Sequence, residues 1–156
     1  MKKVGVYVHF PFCVSKCKYC NFNSYSGKDN LQLDYFRGLI KEISMRSNKD
    51  IEIDTIFIGG GTPSVMFDGA IATLISELKK NYRVLDDAEI TIETNPDDLD
   101  AKKIIELKKL PINRFSIGIQ SFFEEDLIWM NRAHNAQEAE SCIKRSQDAG
   151  FDNISI

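Results

Sequence analysis

Residues 4–20 read V-G-V-Y-V-H-F-P-F-C-V-S-K-C-K-Y-C, and two patterns meet in them. The apolar run Val4-Gly5-Val6-Tyr7-Val8 reads as a buried strand that Pro11 soon bounds. Behind it Cys13, Cys17 and Cys20 crowd into one loop. Three thiolates can hold one metal centre. Zinc would ask for a fourth Cys or His, and His9 stands near enough to keep zinc open. A four-iron, four-sulfur cluster needs four ligands, so three thiolates leave one iron free for a substrate.

From this strand outward the chain alternates. A second strand over 55–58 runs into Gly59-Gly60-Gly61-Thr62-Pro63-Ser64. A third over 89–93 ends before Asn95-Pro96, a fourth covers 114–119, and a fifth begins at Asn153. Helices are predicted over 30–46, 68–82, 100–110 and 136–149, with a short helical turn over 124–129. Apolar stripes at helical spacing mark them, as in Phe36, Leu39, Ile40, Ile43 and in Ile71, Leu74, Ile75, Leu78. Asp29 with Gln32 forms a capping-box-like start. Asn135 with Glu138 opens the last helix, Gly150 follows it, and Pro111 stops the third.

Four β-α units and the start of a fifth strand imply an α/β fold with a parallel sheet, either a barrel or a doubly wound sheet. A full eight-stranded barrel takes about 250 residues. The 156 residues are therefore expected to form one domain that is the first half of something longer, with an unpaired sheet edge.

Twenty Lys+Arg stand against 23 Asp+Glu, a net charge of −3. That mild acidity argues against nucleic acid as the main partner. The pairs Lys79-Lys80, Lys102-Lys103 and Lys108-Lys109 read as solvated helix faces. No signal-peptide pattern follows Met1-Lys2-Lys3, and no segment is long and apolar enough to span a bilayer. Together with three clustered cysteines, this reads as a cytoplasmic chain that uses its thiols for a metal. Cys142, beside Ala139 and Ile143, reads as a buried small hydrophobe.

The unusual residues all fall at C-terminal strand ends. The cysteine loop follows the first strand, the glycine run the second, Glu93 closes the third and Gln120 the fourth. That rim is where barrels and open α/β sheets keep their sites. Each residue also has a plainer reading: a flexible turn for the glycines, a turn cap for Glu93, a buried amide for Gln120, a surface charge for Arg132, core for Tyr7. His134 reads as a loop or helix-start histidine without a role. The glycine run is no Walker loop, since no Gly-Lys-Ser/Thr follows. It does let backbone approach a ligand closely.

In order, C-x-x-x-C-x-x-C with its aromatic, G-G-G-T-P-S, E-T-N-P, R-F-S-I-G-I-Q-S-F and N-R-A-H resemble radical S-adenosylmethionine proteins. Within them the chain resembles the group holding oxygen-independent coproporphyrinogen III oxidase and a related haem chaperone, over nearly its whole length. The resemblance implies a radical S-adenosylmethionine core domain over residues 1–156. That domain would be a partial TIM-like (β/α) barrel whose further strands and C-terminal domain lie outside this chain.

The resemblance also implies that Cys13, Cys17 and Cys20 ligate a four-iron, four-sulfur cluster. Its open iron would chelate the amino and carboxylate groups of S-adenosylmethionine. One electron would then cleave the sulfonium to methionine and a 5′-deoxyadenosyl radical. Gly60, Gly61 and Thr62 would receive the methionine end and Glu93 the ribose. Gln120 and Arg132 would complete the pocket, and Tyr7 and Tyr19 would pack on the cluster or cofactor side. Phe22 stands where the oxidase has a further cysteine, and Asn21-Phe22-Asn23-Ser24 resembles the chaperone branch. The short lead before the first strand points the same way. The implied function is a carrier that binds haem and delivers it to respiratory proteins, meeting the membrane through its clients alone. Oxidative decarboxylation of coproporphyrinogen is the alternative, and a non-catalytic zinc-binding α/β domain the second.

Overall fold

The computed structural model describes residues 2–156. Strand β1 (Lys2–Phe10) leads into a parallel pair, β2 (Phe12–Cys13) and β3 (Tyr25–Ser26), which closes the base of the cysteine loop. Then follow α1 (Gln32–Met45), β4 (Asn48–Gly60), α2 (Ala70–Asn81), β5 (Tyr82–Thr94) and α3 (Ala101–Lys108). The chain continues through β6 (Arg114–Ile117), α4 (Glu124–Met130), α5 (Ala136–Asp148) and β7 (Ile154–Ser155). The main sheet has the order β1-β4-β5-β6-β7, every pair parallel. This order never reverses. Crossovers of one hand then keep the helices on one face, the arrangement of a barrel wall and not of a doubly wound sheet.

Strand alternation sorts the side chains. Val8, Phe10, Ile56, Ile58, Ile90, Ile92, Phe115 and Ile117 are buried on the helix-facing side. They share one core with Phe36 and Ile43 of α1, Leu74 and Leu78 of α2, Ile104 and Leu107 of α3 and Cys142 of α5. Each such side chain contributes about 1.5–3 kcal/mol through burial, so the helix-facing side holds the sheet together.

The opposite side, the barrel interior, is largely polar. Tyr7, Phe57, Thr91 and Arg114 form one row in register across β1, β4, β5 and β6. Arg114 donates to Thr91 Oγ1 (3.2 Å) and Ser155 Oγ (3.1 Å), linking three strands across that face.

Several boundaries differ from the sequence reading. Strands β4 and β5 start well before 55 and 89, because Ile51, Ile53 and Val84 extend the pairing past register shifts that break the simple alternation. Strand β6 ends at Ile117, two residues short of the predicted end, where the chain turns at Gly118. The Asp29–Gln32 pair is not a capping box. Residues 29–31 form a separate 3-10 turn, Gln32 donates to Asp29 Oδ1 (3.0 Å), and Leu31 begins α1 without a side-chain cap. Asp29 lies too early in the chain to face the free N–H groups of α1. The box at Asn135 and Glu138 forms as expected, with bonds of 2.8 and 2.9 Å. Among the described residues no helix is long and apolar enough to cross a membrane.

Candidate functional site

The C-terminal ends of β1, β4, β5 and β6 open onto a cavity of about 550 Å³, within the usual range for a cofactor-sized ligand. Cys13, Cys17, Tyr19, Cys20 and Phe22 line it from the cysteine loop, and Gly60, Gly61 and Thr62 from the end of β4 and the turn beyond it. Glu93, Gln120 and Arg132 complete the wall. Of the residues the resemblance assigns to the cluster and cofactor, Tyr7 alone falls outside. It sits on the interior face, exposed, its ring stacked on Phe57 at 5.9 Å and its hydroxyl 3.4 Å from His9 Nδ1. Burial and the nearby Glu93 carboxylate push its phenol pKa up.

The cysteine loop is held through its backbone groups, by side chains and by neighbouring segments. Lys16 donates to the carbonyls of Ser24 (3.1 Å) and Phe22 (3.4 Å), and His9 Nε2 donates to Asn23 O (2.9 Å). Tyr25 N–H donates to Pro11 O (2.7 Å), and Lys18 N–H to Met130 O in α4 (3.2 Å). Cys13 is buried while Cys17 and Cys20 are half-buried. Cys17 Sγ accepts from Arg132 Nη1 (3.1 Å), and Cys20 Sγ lies 3.7 Å from Ser24 Oγ. No three Cys, His, Asp or Glu among the described residues converge to metal-ligand geometry. The thiols share one cavity, with Cys17 on Arg132 and Cys20 beside Ser24.

The glycine run serves the protein's own packing. A Cβ on Gly59 would come within 2.8 Å of Glu93 Oε2, and one on Gly60 within 2.8 Å of His9 Nδ1. One on Gly61 would collide with the Phe12 carbonyl and lie 2.9 Å from Cys13 Sγ. The missing side chains thus let the cysteine loop and Glu93 close against the end of β4. Gly60 N–H donates to Glu93 Oε2 (2.8 Å), yet burial outweighs that bond and the Glu93 pKa is raised.

Beyond Ile117 the backbone bends through Gly118 and Ile119, and Gln120 stands at a φ of 69°. Ser121 N–H donates to Ile119 O (2.9 Å), closing a tight turn around Gln120. Arg132 reaches into this corner, donating to Asn95 Oδ1 (2.7 Å) and to the Gly118 carbonyl. Asn95 in turn donates to Thr62 Oγ1 (3.3 Å).

Sequence reading missed three residues here. Asn95 bridges the turns after β4 and β5. Asp98, with its pKa raised by burial, accepts from Ser64 Oγ (3.0 Å) and stitches the same two turns. His134 is buried behind the cavity with Nε2 on Ile119 O (3.1 Å). The segments N-P-D-D and N-R-A-H were visible in the sequence, but spacing does not reveal which side chain turns inward.

Three buried side-chain polar atoms lack a partner among the described residues: Thr94 Oγ1, Arg132 Nε and His134 Nδ1. Thr94 and Arg132 both line the cavity. A hydroxyl and a guanidinium N–H, three thiols and a carboxylate on one wall suit a polar ligand with acceptor groups beside a thiophilic metal.

Residues 7–156 match the sequence profile of the Radical SAM superfamily. The heme chaperone HemW of Escherichia coli (strain K12) is 36% identical over 156 residues, covering 98% of this chain and 41% of that protein. HemW of Buchnera aphidicola subsp. Schizaphis graminum is 41% identical over 139 residues, covering 87% of this chain and 37% of that protein. The solved structure of coproporphyrinogen III oxidase (HemN) from Escherichia coli, described as a radical SAM enzyme, superposes with a TM-score of 0.87. It is 27% identical and covers 98% of this chain and 36% of that one. The chain spans about two fifths of the length of these relatives.

Proposed function

The chain belongs to the radical S-adenosylmethionine superfamily, and on that premise we propose that it is the cofactor-binding part of a haem chaperone. In this reading the whole protein binds haem and delivers it to respiratory proteins in the cytoplasm, meeting the membrane through its clients alone. The observation that carries the reading is the gathering of the three cysteines, the glycine turn, Glu93, Gln120 and Arg132 on one cavity. The chaperone relatives support a carrier over an oxidase, as does Phe22, which stands where the resemblance to the oxidase calls for a further cysteine.

Cys13, Cys17 and Cys20 would hold a four-iron, four-sulfur cluster, and the wall beside them S-adenosylmethionine. When bound, the two supply one-electron reductive chemistry at a sulfonium. The protein's part is placement. The turn at Gly60, Gly61 and Thr62 would take the methionine end, and Glu93 would accept from the ribose hydroxyls. Arg132, a rigid planar donor, suits a carboxylate, and Gln120 would close the far side. Tyr19 and Phe22 would shield the cluster loop. Tyr7, one row deeper in the barrel interior, would act on the cofactor only through its neighbours His9 and Glu93.

Anaerobic reconstitution of the full-length protein with iron and sulfide tests this. The expected result is a reduced four-iron electron spin resonance signal that changes when S-adenosylmethionine is added. It should vanish in Cys13→Ala, Cys17→Ala and Cys20→Ala. Stoichiometric zinc in a colourless protein would overturn the reading. Conversion of coproporphyrinogen by the reconstituted protein would replace the carrier with the oxidase.

A further inference from the structure

We infer that His134 is a positioning residue whose Nε2–H, by holding the Ile119 carbonyl, keeps Gln120 aimed into the cavity. The inference rests on the reading of Gln120 as a cofactor contact given above.

Gln120 is one of two non-glycine residues with positive φ among those described. A side chain there is strained by about 1 kcal/mol or more, and such strain persists where the surroundings over-determine it. The surroundings are specific. Arg132 binds the carbonyl of Gly118 and His134 the carbonyl of Ile119, so both peptides before Gln120 are gripped from one short segment. The Ile119 carbonyl takes a second bond from Ser121 N–H, which uses both of its lone pairs. Gly118 has no room for a side chain: a Cβ would lie 2.9 Å from Asn95 Oδ1 and 3.3 Å from Arg132 Nη2. Packing, hydrogen bonds and a glycine therefore all fix this turn.

The His134 side chain is fully buried. A carbonyl only accepts, so Nε2 carries the proton and Nδ1 is the bare nitrogen. Nδ1 has no hydrogen-bond partner among the described residues, and Asp97 Oδ1 lies 3.8 Å from it. Burial and the Arg132 charge hold the imidazole pKa below its usual value, against opposing pulls from the bond to the Ile119 carbonyl, from Asp97 and from Glu138. The ring is thus a neutral, single-tautomer donor. A residue there for volume alone would not need that donor.

The test uses the reconstituted full-length protein and reads S-adenosylmethionine affinity by titrating the change in the electron spin resonance signal, with iron and sulfide measured alongside. Gln offers a donor where Nε2 stands, while Phe keeps ring volume without one. The expected result is that His134→Phe weakens binding about tenfold with cluster content unchanged, and that His134→Gln restores it to within a few-fold. Gln120→Ala should weaken binding similarly, and His134→Phe added to it should cost little more, as coupled residues do. Rescue by Phe and not by Gln would overturn the inference in favour of packing, and so would additive losses in the double variant. Absence of any cluster in the wild type would instead sink the functional reading beneath it. Imidazole nitrogen shifts of the apo protein decide the tautomer without a variant; a proton on Nδ1 of His134 would also overturn the inference.

Discussion

The Arg132 guanidinium and the Cys17 thiol, 115 positions apart in sequence, meet at 3.1 Å. The same guanidinium binds Asn95 and the Gly118 carbonyl, so one side chain ties the cysteine loop to the ends of β5 and β6. The rim is therefore assembled by the protein's own contacts before any ligand is considered. This explains how residues from four strand ends stay on one wall.

Arg132→Gln should accordingly destabilise the apo protein as well as weaken cofactor binding. A hydrogen bond from a charged donor contributes about 1.5–3 kcal/mol, and a half-buried group sits at the lower end. A loss of about 2 kcal/mol in urea denaturation is expected, and Arg132→Lys, which lacks the planar fork, should recover only part of it. An unchanged midpoint would mean that the guanidinium does not bridge these elements in solution.

The glycines give a contrast within one protein. Gly61→Ala would push a methyl into the Phe12 carbonyl and Cys13 Sγ. It is expected to open the cysteine loop and to lower iron uptake on reconstitution. Gly38 lies exposed inside α1 with nothing near its missing Cβ. Gly38→Ala should stabilise the chain by about 0.5–1 kcal/mol with normal iron uptake. Equal behaviour of the two variants would refute the packing account of the G-G-G turn.

Much of this was legible in the sequence for a physical reason. Strand-end residues that a barrel exposes on its rim stand out as polar or cysteine interruptions after apolar runs. Cys13, Gly60, Glu93 and Gln120 were singled out that way, and all four line the one cavity. What stayed hidden depends on side-chain direction. Tyr7 lies one row deeper, outside the cavity lining, because strand alternation tells face but not depth. His134 and Asp98 turn inward from irregular segments, where no period applies. The long starts of β4 and β5 were lost because register shifts break the alternation, and Asp29 paired with Gln32 without capping α1.

Glu93 sets a pH dependence with a definite sign. Its pKa is raised in the folded state by burial, so the folded protein holds a proton that the unfolded chain has already lost. Between the ordinary glutamate value and the raised one, stability falls as pH rises. Asp98 is shifted the same way, so the comparison must be with Glu93→Gln, which keeps an acceptor for Gly60 N–H but does not titrate. The variant is expected to show a shallower fall of Tm as pH rises above the ordinary glutamate value, while binding S-adenosylmethionine more weakly. Parallel Tm curves for the two proteins would show that Glu93 is not desolvated in the apo state.

Thiol chemistry separates the fourth cysteine from the other three. Cys142 is fully buried, its Sγ donates to the Ala139 carbonyl (3.2 Å), and burial raises its pKa. Both effects withhold the reactive thiolate. Alkylation of the native apo protein under anaerobic conditions, read by mass spectrometry, should label Cys17 and Cys20, which are half-buried, well before Cys142. Labelling of Cys142 should track global unfolding in denaturant. Reconstitution with iron and sulfide should then protect Cys17 and Cys20, and Cys142→Ala should leave iron content unchanged. If Cys142 were labelled as fast as Cys17, α5 would not be packed on the sheet as described. If Cys17 and Cys20 stayed reactive after iron uptake, they would not be the ligands.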